Sequence, residues 1–396
     1  MMKREYLNEN VYEALQRRLK FLFEEFDNIF VSFSGGKDSG LLLNLVLDFQ
    51  KAHYPDKRIG VFHQDFEAQY SATTEYVERT FTRIEKDVEP YWVCLPMATR
   101  TALSSYEMYW YPWDNTKEDA WVRPMPQHEY VINIKNNPMT TYRYRMHQED
   151  LAKQFGRWYR IAHGDKKTVC LLGIRADESL QRYSGFLNRK YGYKETCWIS
   201  NQFKNVWVAS PIYDWSTSDV WHANYTFQYD YNRLYDLYYM AGLKPDQMRV
   251  ASPFNDYAKD SLNLYRVIDP QIWVKLIGRV RGANFGAIYG RTKAMGYKNI
   301  TLPAGHTWES YTRHTVGGGL EEETIRELEE HGYNIRRNGV SNYTVMKNSR
   351  IVFIGKIPDH TDDIKSTKDI PSWKRMCFCI LKNDHLCRFM GFGLTR

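Results

Sequence analysis

The chain has 396 residues, of which 43% are hydrophobic and 26% charged, and its net charge is +7. These values are typical of a folded protein with room for more than one domain; they exclude a long disordered chain and favour an anionic ligand. Residues 1–18 lack the apolar core of a signal peptide, and no stretch has the roughly 18 apolar residues of a membrane span, so we expect a cytoplasmic protein with reduced cysteines and no membrane partner.

The first predicted elements are a helix, a strand and a second helix. Apolar residues recur at spacings of three and four from Val11 to Phe26, which predicts an amphipathic helix that packs on a sheet. The run IFVSF at residues 29–33 predicts a strand, and the leucine-rich stretch at residues 41–49 predicts a helix. The sequence SGGKDS at residues 34–39, here called the SGGKDS loop, therefore occupies a strand–loop–helix corner.

Further strands are predicted at residues 59–63, 89–95 and 168–174, with helical sequence between them. This alternation predicts an α/β fold with a doubly wound parallel sheet, in which ligands bind at the carboxyl ends of the strands. Clustered tyrosines begin near residue 225, and NYTVM and RIVFIGKI predict a hairpin further on. We expect a nucleotide-binding domain at residues 1–225 and a smaller α+β domain at residues 226–396.

The SGGKDS loop has the residue types of a phosphate site. Amide groups at a helix N-terminus are unsatisfied and carry partial positive charge. Gly35 and Gly36 allow close approach of the backbone, two serines add hydroxyls and Lys37 adds charge. Asp38 beside an anion indicates a bridging Mg²⁺ ion. The spacing differs from that of the P-loop, and a plain capped turn is the alternative.

Residues 34–39 match the SGGxDS signature completely, so the sequence resembles the PP-loop superfamily of ATP pyrophosphatases and adenine nucleotide α-hydrolases. GIRADESLQR at residues 173–182 and PIYDWSTSDVW at residues 211–221 resemble elements of its phosphoadenosine phosphosulfate (PAPS) reductase branch. The stretches PWD…WVRPMP and PSWKRMCFCILKND resemble a subgroup that includes the immunoglobulin-binding regulator A proteins and related prophage proteins. The resemblance implies a Rossmann-like PP-loop fold that binds an adenine nucleotide, ATP or PAPS, with Mg²⁺.

The resemblance and the side-chain chemistry together name the candidate site. The expected catalytic residues are Lys37, Asp38, Arg175 and Arg182, with Asp38 also the metal ligand. The expected nucleotide-binding residues are Ser34, Gly35, Gly36, Lys37, Ser39, Asp65, Glu67, Gly173 and Glu178. Surface ion pairs are the alternative for Arg182, and an ordinary acidic loop is the alternative for Asp65 and Glu67. The aromatic residues 108–126 are either a substrate wall or core.

Four potential metal ligands lie close together near the C-terminus: Cys377, Cys379, His385 and Cys387. Their CxC and HxC spacing departs from that of common zinc sites, so we favour structural cysteines over metal ligands. A PAPS reductase attacks sulfur with a late cysteine, in a Glu-Cys-Gly type of motif that this sequence lacks.

Three functions follow from these features. The leading hypothesis is a Mg²⁺-dependent enzyme in which an acceptor attacks the α-phosphate of ATP and pyrophosphate leaves; the acceptor would be tRNA, DNA or a small molecule. The first alternative is a sulfonucleotide reductase that uses one of the late cysteines. The second is a nucleotide-responsive regulator that binds nucleic acid or a partner protein, motivated by the basic pairs Arg279 and Arg281, and Arg336 and Arg337. The sequence does not indicate an oligomeric state.

Overall fold

The computed structural model describes residues 7–103, 109–187, 192–255, 259–280, 282–283, 300–316, 333–338, 342–347, 350–360 and 372–381. The helices in these ranges are α1 (Val11–Glu25), α2 (Lys37–His53), α3 (Ser71–Ile84), α4 (Gln148–Ala162), α5 (Leu180–Leu187), α6 (Thr217–Thr226), α7 (Leu234–Met240), α8 (Tyr265–Ile268), α9 (Pro270–Arg279), α10 (Trp308–Val316) and α11 (Trp373–Leu381). The strands are β1 (Asn28–Ser32), β2 (Gly60–Gln64), β3 (Glu89–Val93), β4 (Thr99–Arg100), β5 (Tyr109–Trp110), β6 (Val131–Ile132), β7 (Thr168–Leu172), β8 (Ile199–Phe203), β9 (Val206–Ala209), β10 (Tyr333–Arg337), β11 (Asn342–Lys347) and β12 (Arg350–Lys356).

The largest sheet has seven strands in the order β6-β3-β2-β1-β7-β9-β8. Neighbouring strands are parallel except β8 and β9, which are antiparallel. The strand order reverses at β1, which has β2 on one side and β7 on the other, and a doubly wound sheet has its ligand crevice at such a point. The predicted α/β class is therefore confirmed, and the four predicted strands correspond to β1, β2, β3 and β7.

Alternate residues of β1 pack on opposite faces of this sheet, as the two-residue period of a strand requires. Ile29 and Val31 share a core with apolar residues of α1 and α2. Phe30 faces the other way, where its ring centroid lies 5.3 Å from that of Phe155 and 5.2 Å from that of Tyr159, both in α4. Helices therefore cover both faces, and the sheet is buried between them.

The corner between β1 and α2 depends on two glycines. Gly36 is the N-cap of α2, and Gly35 has a φ of +76°, which a residue with a side chain rarely adopts. A Cβ on Gly35 would also lie 3.0 Å from Cγ2 of Val77. The leucine-rich residues 41–49 predict the helix, but α2 begins earlier, at Lys37, because the polar residues of the loop form its first turn.

The chain forms two compact units, one within residues 1–102 and 109–283 and the other within residues 103–108 and 284–396. The second unit contains the antiparallel sheet β10-β11-β12, whose last two strands form the predicted hairpin with Lys347 opposite Arg350. Its core includes Trp308, Tyr343 and Trp373. The division into functional domains at residue 225 stays a prediction. None of the helices in the described ranges has both the length and the apolarity to cross a bilayer.

Candidate functional site

A cavity of about 560 Å³, here called the loop cavity, lies at the carboxyl ends of β1 and β7. Its walls come from the SGGKDS loop, from the residues that follow β7 and from residues 245–250. The lining residues are Ser32, Ser34, Gly36, Lys37, Asp38, Ser39, Leu172, Gly173, Ile174, Arg175, Asp177, Glu178, Arg182, Thr217, Tyr235, Pro245, Met248, Arg249 and Val250. The fold thus brings together the SGGKDS loop and the GIRADESLQR element, and the roles of their residues stay predictions.

Asp38 lies between two cations in the wall of the loop cavity. Its Oδ2 accepts a hydrogen bond from Nζ of Lys37 at 2.8 Å, and its Oδ1 accepts one from Nε of Arg175 at 2.6 Å. The guanidinium of Arg175 also donates to the carbonyl of Trp215 and the hydroxyl of Thr217, both at 3.3 Å. Among the described residues, the cavity as a whole is lined by four cations and three carboxylates, and this excess of one positive charge suits an anionic ligand.

The two serines of the SGGKDS loop bind each other. Their hydroxyl oxygens are 2.9 Å apart, and Oγ of Ser39 also accepts a hydrogen bond from the amide of Ser34 at 3.1 Å. The Ser39 hydroxyl donates to the carbonyl of Gly36, and the Gly36 amide donates to Oγ of Ser34 at 3.4 Å. These bonds hold the loop in one shape, while Ser34 itself is exposed at the cavity.

Two residues from the tyrosine-rich stretch that begins near residue 225 also bind the backbone of the SGGKDS loop. The hydroxyl of Tyr235 accepts a hydrogen bond from the amide of Lys37 at 3.0 Å, and Asn232 donates to the carbonyl of Gly35 at 2.9 Å. Burial raises the pKa of Tyr235 above its usual range, so the phenol is neutral. The sequence analysis missed both residues because the predicted domain boundary near residue 225 assigns them to a different domain from the loop. The cluster of tyrosines after residue 225 was the available signal for a role of this stretch at the site.

Gly173 allows the turn after β7 to lie directly against the first turn of α2. A Cβ at this position would be 2.8 Å from the carbonyl carbon of Asp38 and 2.8 Å from the amide nitrogen of Ser39. Both contacts are with backbone atoms, which cannot rotate away as a side chain can. A glycine at residue 173 is therefore needed for the close approach that forms this wall.

Glu178 and Arg182 lie at the edge of the loop cavity. Oε1 of Glu178 accepts a hydrogen bond from the backbone amide of Arg175 at 3.0 Å. The side chain of Arg182 is 50% exposed, and its Nε lies 3.9 Å from Oε2 of Glu178. Glu178 thus orients the turn that carries Arg175, whereas Arg182 is a solvated cation at the rim.

Asp65 and Glu67 are not among the residues that line the loop cavity, and both are fully buried. Asp65 accepts hydrogen bonds from the indole of Trp92 and from Arg123. Burial is the largest influence on the pKa of Asp65 and would raise it, but Arg123, His63 and the hydrogen bonds from Trp92 and the Glu67 amide together outweigh burial, and the pKa is lowered. A role for these two acids in nucleotide binding stays a prediction, and the structure gives both of them internal partners.

Glu67 connects the loop after β2 with residues 113–122 and with the last residue of α9. Its carboxylate accepts hydrogen bonds from the amides of Trp113 and Val122 and from Arg279, whose Nε is 2.7 Å from Oε1. Trp113 is 1% exposed, which favours the core interpretation for its part of residues 108–126. The expectation of a basic surface at Arg279 is wrong, because this side chain is 5% exposed and paired with Glu67. Arg281 lies outside the described residues.

Three of the described cysteines belong to the first unit, and none of them lines the loop cavity: Cys94 and Cys170 are buried, and Cys197 is half-buried. Cys377 belongs to the second unit and is buried in its core. Burial raises the pKa of Cys377, which disfavours the reactive thiolate. The side chain of Cys379, and the whole of His385 and Cys387, lie outside the described residues. Within the described ranges, no group of three or more His, Cys, Asp and Glu residues could hold a metal ion.

Two protein families match successive parts of the chain. The phosphoadenosine phosphosulfate reductase domain family matches residues 28–241, which include the SGGKDS loop, Arg175 and Tyr235. A domain of unknown function, DUF3440, matches residues 242–316 and 313–396. The first match extends over the whole sheet and most of the loop cavity wall.

The chain is 32% identical to the uncharacterized protein YbdN of Escherichia coli (strain K12), over 98% of this chain and 91% of that protein. Similar solved structures include PAPS reductase from Candida auris in complex with phosphate, with 12% identity, 63% of this chain and 98% of that chain covered, and a TM-score of 0.30. Another is the U34-tRNA thiolase NcsA of Methanococcus maripaludis, with 11% identity, 69% and 79% covered, and a TM-score of 0.34. By its family match and its SGGKDS loop, this chain belongs to the phosphoadenosine phosphosulfate reductase domain family of the PP-loop superfamily.

Proposed function

We propose that this protein is an enzyme that binds ATP in the loop cavity and directs an acceptor molecule to its α-phosphate, with release of pyrophosphate. The observation that carries the proposal is the meeting of the SGGKDS loop and Arg175 in one cavity, at the point where the strand order reverses. A site with backbone amides, hydroxyls and fixed cations is suited to phosphate groups.

The SGGKDS loop would hold the β- and γ-phosphates. The amides in the first turn of α2 point out of the N-terminal end of the helix. The amide of Lys37 already donates to Tyr235, so the remaining amides of this turn would bind phosphate oxygens. Lys37 lies in the same wall and would add charge, and the hydroxyl of Ser34, which is bonded to that of Ser39, would rotate to donate to a phosphate oxygen. The backbone of the loop is held before the ligand arrives, so little other reorganisation would be needed when negative charge builds on the leaving group.

A magnesium ion in the loop cavity would take most of its ligands from the nucleotide and water, because the described residues do not group three acidic, histidine or cysteine side chains around one point. Mg²⁺ is commonly bound in this way, through one or two carboxylates together with substrate phosphates. Asp38 is the residue that would hold the ion, together with oxygens of the nucleotide. When bound, Mg²⁺ would neutralise charge on the phosphate oxygens.

The chemical step would be an in-line displacement at phosphorus. A hydroxyl oxygen of the acceptor donates its electron pair to the α-phosphorus and gives up its proton to water. The bond from that phosphorus to the bridging oxygen breaks, and pyrophosphate leaves with the bonding pair. Arg175 would stabilise the charge on the α-phosphate, because its guanidinium is held by fixed partners. The contribution of the protein would be mainly positioning and electrostatics.

Among the described residues, nothing favours the sulfonucleotide reductase alternative. That reaction needs a thiolate that reaches the nucleotide. The described cysteines of the first unit are absent from the cavity wall, and burial raises the pKa of Cys377 in the second unit, which disfavours a thiolate there. PAPS nevertheless remains the competing ligand, because its phosphates would suit the same cations and amides. The comparison of ATP with PAPS is therefore built into the test.

The test is an assay of pyrophosphate release from ATP and Mg²⁺ with three acceptor classes: nucleosides, tRNA and single-stranded DNA. We expect release with one class, a loss of at least about 100-fold in a Lys37→Ala variant, and full activity after replacement of Cys377, Cys379 and Cys387 by serine. Sulfite release from PAPS that disappears in the triple cysteine variant, without pyrophosphate release from ATP, would establish the reductase instead.

A further inference from the structure

A second cavity, of about 600 Å³ and here called the aromatic cavity, lies beside the loop cavity. Tyr235, Pro245 and Met248 line both cavities. Tyr235 also accepts the hydrogen bond from the amide of Lys37 described above. A molecule in the aromatic cavity would therefore lie next to the loop that we propose holds the nucleotide.

The walls of this cavity are unusually aromatic. They contain Trp221 and five tyrosines, at residues 225, 229, 231, 235 and 239. Trp221 is held edge-on by two of these rings, with centroid distances of 5.4 Å to Tyr231 and 5.3 Å to Tyr235. Tyr225 and Tyr239 are 77% and 72% exposed, so they do not serve the core. Exposed rings around a concave site are typical of a binding surface for a planar ligand.

One exposed side-chain amide, that of Gln228, stands among these rings. Its Nε2 donates to the backbone carbonyl of Tyr225, and because an amide nitrogen carries two hydrogens, Gln228 keeps a donor and an acceptor for a ligand. Asn224 also lines the cavity, but it is 5% exposed and its Nδ2 donates to the carbonyl of Val220. A donor and an acceptor side by side are the arrangement that pairs with the edge of a nucleobase. The lining therefore combines surfaces for stacking with one group that can recognise a heterocycle's edge.

The described lining of the aromatic cavity has no excess of cations. Its charged residues are Arg233, Asp230 and Asp236, which together carry one net negative charge. Asp236 is 3.4 Å from Arg233, and Asp230 is 3.2 Å from Arg79, which lies outside the lining. A site for a nucleic-acid strand has an excess of cations that contact phosphates. This lining favours a small ligand without negative charge over a polyanion.

We propose that the aromatic cavity binds the acceptor of the reaction, and that this acceptor is an uncharged nucleoside. The role of the nucleoside as acceptor rests on the function proposed above. The binding of a nucleoside is inferred only from the rings, the side-chain amide and the charges of this cavity. Trp221 belongs to the PIYDWSTSDVW element, so the inference gives that residue a role in substrate binding beyond packing.

The test is equilibrium dialysis of the full chain with the four ribonucleosides, each with and without saturating ATP and Mg²⁺. We expect at least one nucleoside to bind, and a Tyr225→Ala, Tyr239→Ala double variant to bind it at least about tenfold more weakly, because stacking on an aromatic side chain contributes about 1–3 kcal/mol per base. The corresponding double phenylalanine variant restores the rings and should restore binding. Tyr144→Ala, at a 47% exposed tyrosine outside the cavity, is the matched control.

Three results would overturn the inference. One is the absence of binding by all four nucleosides. Another is displacement of the bound nucleoside by ATP, which would assign the aromatic cavity to the adenine of the nucleotide. The third is tighter, steeply salt-dependent binding of a single-stranded oligonucleotide, which would assign it to a nucleic-acid strand. The dialysis needs no turnover, so nucleoside binding without pyrophosphate release would contradict the proposed function alone.

Discussion

Nε of Arg175 donates a hydrogen bond to Oδ1 of Asp38 over 2.6 Å, although the two residues are 137 positions apart in the chain. This bond joins the SGGKDS loop after β1 to the turn after β7. Because the Arg175 side chain is 2% exposed and has further partners in Trp215 and Thr217, it cannot move freely. Asp38, the carboxylate proposed as the metal ligand, is thus held by Arg175 from the turn after the neighbouring strand β7.

We expect Arg175→Lys to lower the rate of pyrophosphate release by about 100-fold. A lysine keeps the charge but cannot make the several directed bonds of a guanidinium. Arg182→Lys is the matched variant, and because Arg182 is half-exposed we expect a loss of less than about tenfold. Steady-state rates at saturating ATP measure both effects, and equal losses in the two variants would argue against a special role of Arg175.

Gly173→Ala should destabilise the protein and weaken ATP binding. The new methyl group would have to displace backbone atoms of Asp38 and Ser39, and overpacking of this kind costs about 1–3 kcal/mol in the free energy of unfolding. Urea denaturation and titration with ATP provide the measurements. Gly185→Ala is the control, because a Cβ there has no atom within 4 Å and α5 should tolerate it. Unchanged stability in Gly173→Ala would show that the two turns are not tightly packed.

The strand–loop–helix corner and the doubly wound sheet could be predicted from the sequence because their signals are local. The buried run of β1, the glycines of the loop and the leucines of α2 lie within residues 28–53. Gly173 and Arg175 could also be predicted, since they directly follow a strand whose carboxyl end must lie at the same edge as that of β1.

The contacts that depend on distant residues could not be predicted. Tyr235 contacts the amide of Lys37 across 198 positions, and only the folded chain brings them together. The acids at the end of β2 have the pattern of a ligand site, but their arginine partners lie far along the chain. Arg123 is 58 positions from Asp65 and Arg279 is 212 positions from Glu67, so the sequence does not reveal that these charges are paired internally.

Glu67→Gln should lower the free energy of unfolding by about 3–5 kcal/mol, because it leaves the buried Arg279 without its carboxylate. Glu9→Gln is the matched control. Glu9 pairs with Arg17 at the surface, where water screens the pair, so its loss should have a much smaller effect. Urea denaturation of both variants checks the difference, and similar values would mean that the Glu67 network is not a source of stability.

The pair of Glu89 and His163 should make stability depend on pH. Nε2 of His163 is 2.8 Å from Oε2 of Glu89, and this hydrogen bond raises the pKa of His163 above its usual 6.5. Burial is the largest influence on the pKa of Glu89 and would raise it, but the contacts with His163, Tyr159 and Tyr91 together outweigh burial, and the pKa falls below the usual 4.5.

The full stabilisation by this pair is therefore present between the usual pKa values of the two groups, 4.5 for Glu89 and 6.5 for His163. It is lost as the pH rises through the raised pKa of His163, and as the pH falls through the lowered pKa of Glu89. Unfolding of the wild type and of His163→Gln should differ most between about pH 5 and 6, and the difference should shrink toward pH 9. A difference that does not vary with pH would show that His163 is not charged in the folded protein.

Isothermal titration calorimetry with ATP and Mg²⁺, and separately with PAPS, tests most directly whether the loop cavity is an ATP site. We predict that ATP with Mg²⁺ binds one molecule per chain more tightly than PAPS does. We also predict that Asp38→Asn weakens the binding at least about tenfold, whereas Asp87→Asn, in an exposed ion pair with Lys51, does not. Preferential binding of PAPS, or ATP binding that is unchanged in Asp38→Asn, would contradict the account.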